Sequence, residues 1–84
     1  MEMIKEVVPM YDLYLFNDDI NTETFVVQSL VHVMDYNSIL AIKLASEAHK
    51  NGKTLIDTSN KEEMVEKRDL LVAFGLNAQV CKVE

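Results

Sequence analysis

Eighty-four residues, 49% of them hydrophobic, with a net charge of −6, describe one small domain with a single modest core; a chain this short buries about 60–65% of the surface its unfolded form exposes. The acidity and the dispersal of the eight Lys and Arg exclude nucleic acid as the main partner, because phosphate binding needs a basic face, and disfavour an anionic membrane. Cys81 alone makes no intramolecular disulfide, which suits a reducing compartment, and no apolar run reaches the roughly 18–20 residues of a membrane span.

Residues 1–10 form a short extension ahead of a core expected over residues 11–84. The extension carries Glu2, Lys5 and Glu6 and lacks the pattern of a secretory signal peptide. Ile4, Val7 and Val8 offer an edge strand or a loose surface cover, and Pro9 ends whatever precedes it. Tyr11 to Asn17 reads as the first strand, with Leu13 and Leu15 alternating against Asp12, Tyr14 and Phe16. Asn21 to Met34 reads as a helix capped by Asn21 or Thr22, with Glu23 favourable to the dipole in its first turn. Its buried stripe is expected at Phe25, Val26, Ser29, Leu30 and Val33.

Asp35 to Asn37 makes a tight connection to a second helix, Ser38 to Lys50. Ile39, Leu40, Leu44, Ala45 and Ala48 face the core, Glu47 and Lys50 face water, and Asn51-Gly52 stops the helix. Thr54 to Ile56 is a short strand. A capping box, Ser59 with Glu62 or Asn60 with Glu63, opens a third helix from Lys61 to Phe74, and Gly75 ends it. Gln79 to Val83 is the last strand. The order is β-α-α-β-α-β, which predicts an α+β sandwich: a three-stranded antiparallel sheet packed with three helices.

No standard catalytic signature appears: no G-x-S-x-G, no H-E-x-x-H, no C-x-x-C, and two glycines in all, both at helix ends. His32 reads as a structural residue in mid-helix. His49 lies in the last turn of the second helix, where a histidine ordinarily serves the dipole. Asn17, Asp18 and Asp19 sit where the first strand runs into a helix start. That makes them either a capping loop or a cation-binding corner, because adjacent carboxylates repel unless a positive group is near. A Mg²⁺ or Ca²⁺ site on Asp18 and Asp19 falls short of the six or more oxygens such ions take. Adding Asp57 gives the acidic triad of a phosphate-accepting receiver domain, for which the chain is too short and the element order wrong.

Taken together, Tyr11-Asp12-Leu13-Tyr14-Leu15-Phe16-Asn17-Asp18-Asp19, then Phe25-Val26, then His49-Lys50-Asn51-Gly52-Lys53, resembles the ClpS family. The resemblance runs from Tyr11 to the C-terminus, and the pairing of N-D-D with a later H-x-x-G-K is its specific part. It implies a non-enzymatic, monomeric adaptor without cofactor or metal, in the bacterial cytoplasm or plastid stroma. Such an adaptor binds the free N-terminal residue of N-degron substrates and hands them to a Clp AAA+ ATPase. The resemblance assigns Asn17, Asp19 and His49 to the α-ammonium, with Asp18 supporting that corner. It assigns Leu15, Phe16, Asn21, Glu23, Val26, Ala45, Ala48 and a residue near Gln79 to the side-chain pocket. Glu62 and Lys67 fall where the family docks on the N-terminal domain of its ATPase.

The chemistry fits such a ligand. An ammonium has three N–H donors and no acceptor, and an amide oxygen, a carboxylate and a neutral imidazole nitrogen can meet them. Affinity is then expected to fall at alkaline pH as the amine loses its proton, and at acid pH if His49 gains one. The chain departs from familiar members at Glu23, where a methionine is typical, and at Ala45 and Ala48, where larger apolar residues are common. These changes predict a roomier pocket with a more acidic rim, one that accepts bulkier, β-branched or basic first residues. They also leave open a divergent module that docks on a Clp ATPase or another partner without reading N-termini. The short extension leaves active delivery open as well.

Overall fold

The computed structural model describes residues 8–84. Six elements follow in the expected order: β1 (Tyr11–Phe16), α1 (Glu23–Met34), α2 (Ser38–Asn51), β2 (Lys53–Ser59), α3 (Lys61–Ala73) and β3 (Asn77–Lys82). The strands form one antiparallel sheet in the order β2-β1-β3, so β1 is central. The edge strand expected at Ile4 and Val7 lies outside the described residues. Val8 is exposed, and beyond β1 the Val83 N–H donates to the Met10 carbonyl at 2.9 Å.

Alternation along β1 sets the two faces of the sheet. Leu13 and Leu15 are buried beneath the helices, while Asp12, Tyr14 and Phe16 turn to the other side and are only half-buried. The pairing of β1 with β2 slips between Leu13 and Tyr14. Leu13 faces Asp57 and Tyr14 faces Leu55, which leaves Ile56 as the extra residue of a bulge. Both outer strands start earlier than the sequence pattern suggested, β2 at Lys53 and β3 at Asn77, because backbone pairing with β1 extends over the polar Lys53 and Asn77 and the small Ala78, which carry little strand signal of their own.

The helices are capped by the residues their local chemistry favours. Thr22, rather than Asn21, caps α1 by accepting from the Phe25 N–H at 3.1 Å. Asn37 does the same for α2, accepting from the Leu40 N–H at 2.9 Å. Asn60 caps α3 through the Glu63 N–H at 2.9 Å, while the Ser59 hydroxyl donates to the Glu63 carboxylate at 2.7 Å. α3 ends in a Schellman motif: the Leu76 N–H donates to the Leu71 carbonyl at 3.0 Å and the Gly75 N–H to Val72 at 2.9 Å, with Gly75 at φ +95°.

One core unites the layers. Leu13, Leu15, Leu30, Ala41, Met64 and Leu71 are its most deeply buried members. Ile39, expected on the apolar face of α2, is 81% exposed, and Ala41 is buried in full. Ile39 belongs to the first turn, before the helix reaches the core, and the inward stripe follows Ala41, Leu44, Ala45 and Ala48 at helical spacing. Glu47, expected in water, is half-buried and accepts from the Thr54 hydroxyl at 2.9 Å.

Candidate functional site

The site is built where β1 ends. Past Phe16 the chain leaves the sheet but stays tied to it, because the Asn17 N–H donates to the Gly52 carbonyl at 2.9 Å. Gly52 is also the left-handed C-cap of α2, at φ +87°, and its own N–H donates to the Ala48 carbonyl. One glycine therefore connects the N-D-D corner to the helical turn that carries His49.

Asp18 organises the loop. Its carboxylate accepts from the Ile20 N–H at 2.9 Å, the Asn21 N–H at 2.7 Å and the Asn21 side-chain amide at 2.9 Å. The bonds from Asn21, backbone first, hold the Asp18 carboxyl below its ordinary value. The same Asn21 amide donates to the Gly75 carbonyl at 2.8 Å, which binds the loop before α1 to the turn after α3. Asn21, which the sequence offered with Thr22 as a cap of α1 and placed in the pocket, is thus also a bridge between two loops.

These elements enclose a cavity of about 290 Å³. Its floor is apolar: Leu15 from β1, Val26 from α1, and Ala45 and Ala48 from α2, with Phe16 at one side. Asn17, Asp19 and His49 stand in its wall, and Asp18, Asn21 and Glu23 complete the polar rim. No Lys or Arg lines it, against three carboxylates. Asp18 is occupied by its loop. Among the described residues, no hydrogen bond or ion pair within the protein engages the side chains of Asn17, Asp19, Glu23 or His49, and Asp19 and His49 are exposed to an incoming ligand.

Gln79 does not join the cavity. It pairs with Tyr14 on the outer face of the sheet, whereas Ala78, opposite Leu15, turns inward and is buried. The strand's period of two decides this, and the late start expected for β3 hid it. Sequence reasoning also gave no role to the Gly75 carbonyl, whose only local signal was a helix-ending glycine.

The other candidates lie elsewhere. Asp57 forms an ion pair with Lys67 at 3.0 Å, and Lys67 also meets Glu63 at 3.3 Å. The Asp57 bond raises the Lys67 pKa, and the Ser59 hydroxyl, followed by Lys67, lowers that of Glu63. Among the described residues no group of three His, Cys, Asp or Glu is placed to hold a metal ion. His32 is exposed and its ring packs against Phe74, with centroids 5.8 Å apart. Glu62 is exposed and lines a shallow groove with Val8, Pro9 and Tyr11, at the opposite end of α3 from Gly75.

A three-stranded antiparallel sheet under three helices, with an acceptor-rimmed, apolar-floored cavity at the end of the central strand, defines a small ligand-binding module. The chain belongs to the ClpS family: the family described as "ATP-dependent Clp protease adaptor protein ClpS" matches residues 6–79. Members of this family are adaptors and not enzymes. No curated protein sequence matches the chain significantly. Among solved structures, that of Agrobacterium tumefaciens ClpS2 bound to L-phenylalaninamide aligns with a TM-score of 0.78 at 21% identity, covering 89% of this chain and 98% of that one. The likeness establishes the shared fold. No helix among the described residues is long and apolar enough to cross a membrane.

Proposed function

We propose that the cavity receives the free N-terminal residue of a polypeptide, and that the chain presents that polypeptide to a Clp AAA+ ATPase. The observation that carries the reading is the convergence of Asn17, Asp19 and His49 on a cavity with an apolar floor and no Lys or Arg in its lining. Three unengaged acceptors suit the three donors of an α-ammonium, and each charge-assisted bond contributes on the order of 1.5–3 kcal/mol. An internal peptide nitrogen is uncharged and offers at most one donor, so the site selects chain ends. Leu15, Val26, Ala45 and Ala48 then form the surface against which the first side chain packs. Asp18 braces the loop rather than touching the ligand, since its oxygens are already bonded. The L-phenylalaninamide held by the Agrobacterium protein is itself a free amine bearing an aromatic side chain, which supports the same ligand chemistry here.

In this reading residues 11–84 act as the adaptor core, and Glu62 and Lys67 face the N-terminal domain of the ATPase. Glu62 is exposed for such contact, whereas Lys67 already serves Asp57 and Glu63, so Glu62 carries more of the docking. The adaptor works as a monomer in the cytoplasm or plastid stroma.

Fluorescence-polarisation binding to peptides that differ only in the first residue, each with a free and an acetylated N-terminus, tests the proposal. Acetylation is expected to abolish binding. Absence of binding to every free N-terminus would overturn the reading and leave a module that docks without reading chain ends.

A further inference from the structure

Beyond Glu23 the surface continues into a second depression. Glu23 stands in the wall of the cavity and also, with Thr24, Val27, Gln28 and Ile42, in the wall of an open groove of about 430 Å³ between α1 and α2. The two spaces therefore share a side chain. Ile42 is 53% exposed and Val27 half-buried, so the groove presents two branched apolar side chains to solvent. Ile42 precedes His49 by seven residues of α2, which is two turns along the same helix face, or about 10 Å. An extended chain advances about 3.3 Å per residue. A backbone that leaves the cavity past Glu23 and follows α2 therefore reaches Ile42 some three residues after its first.

We infer that this groove holds the third and fourth residues of the same polypeptide whose first residue fills the cavity, and that it favours an apolar side chain there. The inference rests on the reading of the cavity given above. Continuity of the two spaces through Glu23 selects this occupant. The groove also suits an extended segment chemically: Val27 and Ile42 supply an apolar wall, while the Thr24 hydroxyl and the Gln28 amide, one turn apart on α1, supply donors and acceptors for a backbone that has left its own secondary structure. Specificity would then come from two readouts, a chain end in the cavity and an apolar residue a fixed distance behind it.

Isothermal titration calorimetry with three probes tests this, each carrying the best-binding first residue from the peptide panel. The probes are the amide of that amino acid alone, a hexapeptide continuing in Gly and Ser, and the same hexapeptide with Leu at positions three and four. The Leu peptide is expected to bind about three- to tenfold tighter than the Gly-Ser peptide, the scale of partly burying an aliphatic side chain. Ile42→Ser is expected to remove that advantage and leave binding of the amide unchanged. Ile42 lies outside the core, so a thermal melt should not shift.

Equal affinity of the two hexapeptides, or an advantage that survives Ile42→Ser, would overturn the inference while the cavity reading stands. The groove would then belong to a partner protein or a second copy of the chain. Failure of the amide and both peptides to bind would overturn the cavity reading and this inference with it.

Discussion

The Asn17 N–H and the Gly52 carbonyl are hydrogen-bonded at 2.9 Å, so the end of β1 and the end of α2 are registered by main chain rather than by side chains. Gly52 can do this because it takes φ +87°. A Cβ at Gly52 would meet no atom within 4 Å, so Gly52→Ala carries backbone strain without a clash, expected at about 1 kcal/mol. Peptide affinity should fall as well, because Asn17 and His49 lose their common reference point. Thermal melts and peptide titration on the one variant check both. A loss of stability with unchanged affinity would show that the side chains find their positions independently.

Asp19 and Asp18 are adjacent but expected to fail differently. Asp19→Asn keeps the shape and removes the charge proposed to meet the ammonium, so affinity should drop about 10- to 100-fold with little change in melting temperature. Asp18→Ala removes the acceptor of three bonds and should lower stability by about 1 kcal/mol, as the loss of a helix cap does, with a secondary loss of affinity. Melting temperature and affinity measured on both variants separate the roles.

Asn21 bridges Asp18 and the Gly75 carbonyl. Asn21→Ala should destabilise the fold by about 1 kcal/mol. Asn21→Asp should cost more, because it removes the donor to Gly75 and sets a second carboxylate against Asp18. Urea denaturation ranks the pair, and a more stable Asp variant would contradict the bridge.

Like Asp19, Glu23 is a carboxylate of the cavity lining without a hydrogen-bond or ion-pair partner among the described residues, and it stands on the α1 side, away from the Asn17–Asp19 corner. Peptides beginning with Arg or Lys should therefore bind measurably, and Glu23→Gln should weaken them several-fold while leaving Leu and Phe peptides unaffected. Because the rim is exposed, the effect should shrink as salt shortens the range of the charge. A panel in which basic and β-branched first residues stay silent would leave Glu23 without this role.

Stability should be level from about pH 5 to 10 and fall on both sides. Asp18 and Glu63 are held below their ordinary values of 3.8 and 4.5, so each stabilises the fold fully above that value and loses the contribution as pH falls through the lowered one. Lys67 is raised above 10.5 by Asp57, and Tyr36 above 10.0 by burial, its hydroxyl donating to the Ile56 carbonyl. Those contributions are complete below the ordinary values and disappear as pH rises through the raised ones. Melting temperature followed from pH 2 to 11 checks both limbs, and Glu63→Gln should flatten part of the acid one.

Much of this was legible in the chain because the signals were local. Alternation at Leu13 and Leu15, caps at Thr22 and Asn60, and glycines at 52 and 75 mark six elements in their right order. The N-D-D and H-x-x-G-K runs located the cavity, and it is lined by every residue expected there except Gln79. What the chain concealed is non-local. The bond from Asn21 to Gly75 spans 54 residues and leaves no periodic trace. The burial of Ala41 in place of Ile39 depends on where α2 meets the core, and the inward turn of Ala78 on where β3 begins to pair. A small residue buried by its neighbours looks, in sequence, like one exposed to water.

The bridge from Asn21 to Gly75 fixes the cavity rim to one end of α3, and Glu62 stands at the other. Thirteen helical residues separate those ends by about 20 Å. A helix of that length is a stiff spacer, so a guest held at the rim and a larger machine engaged at Glu62 would be kept at a set separation. Neither contact would obstruct the other, and release of the guest would require no rearrangement of the grip on the machine.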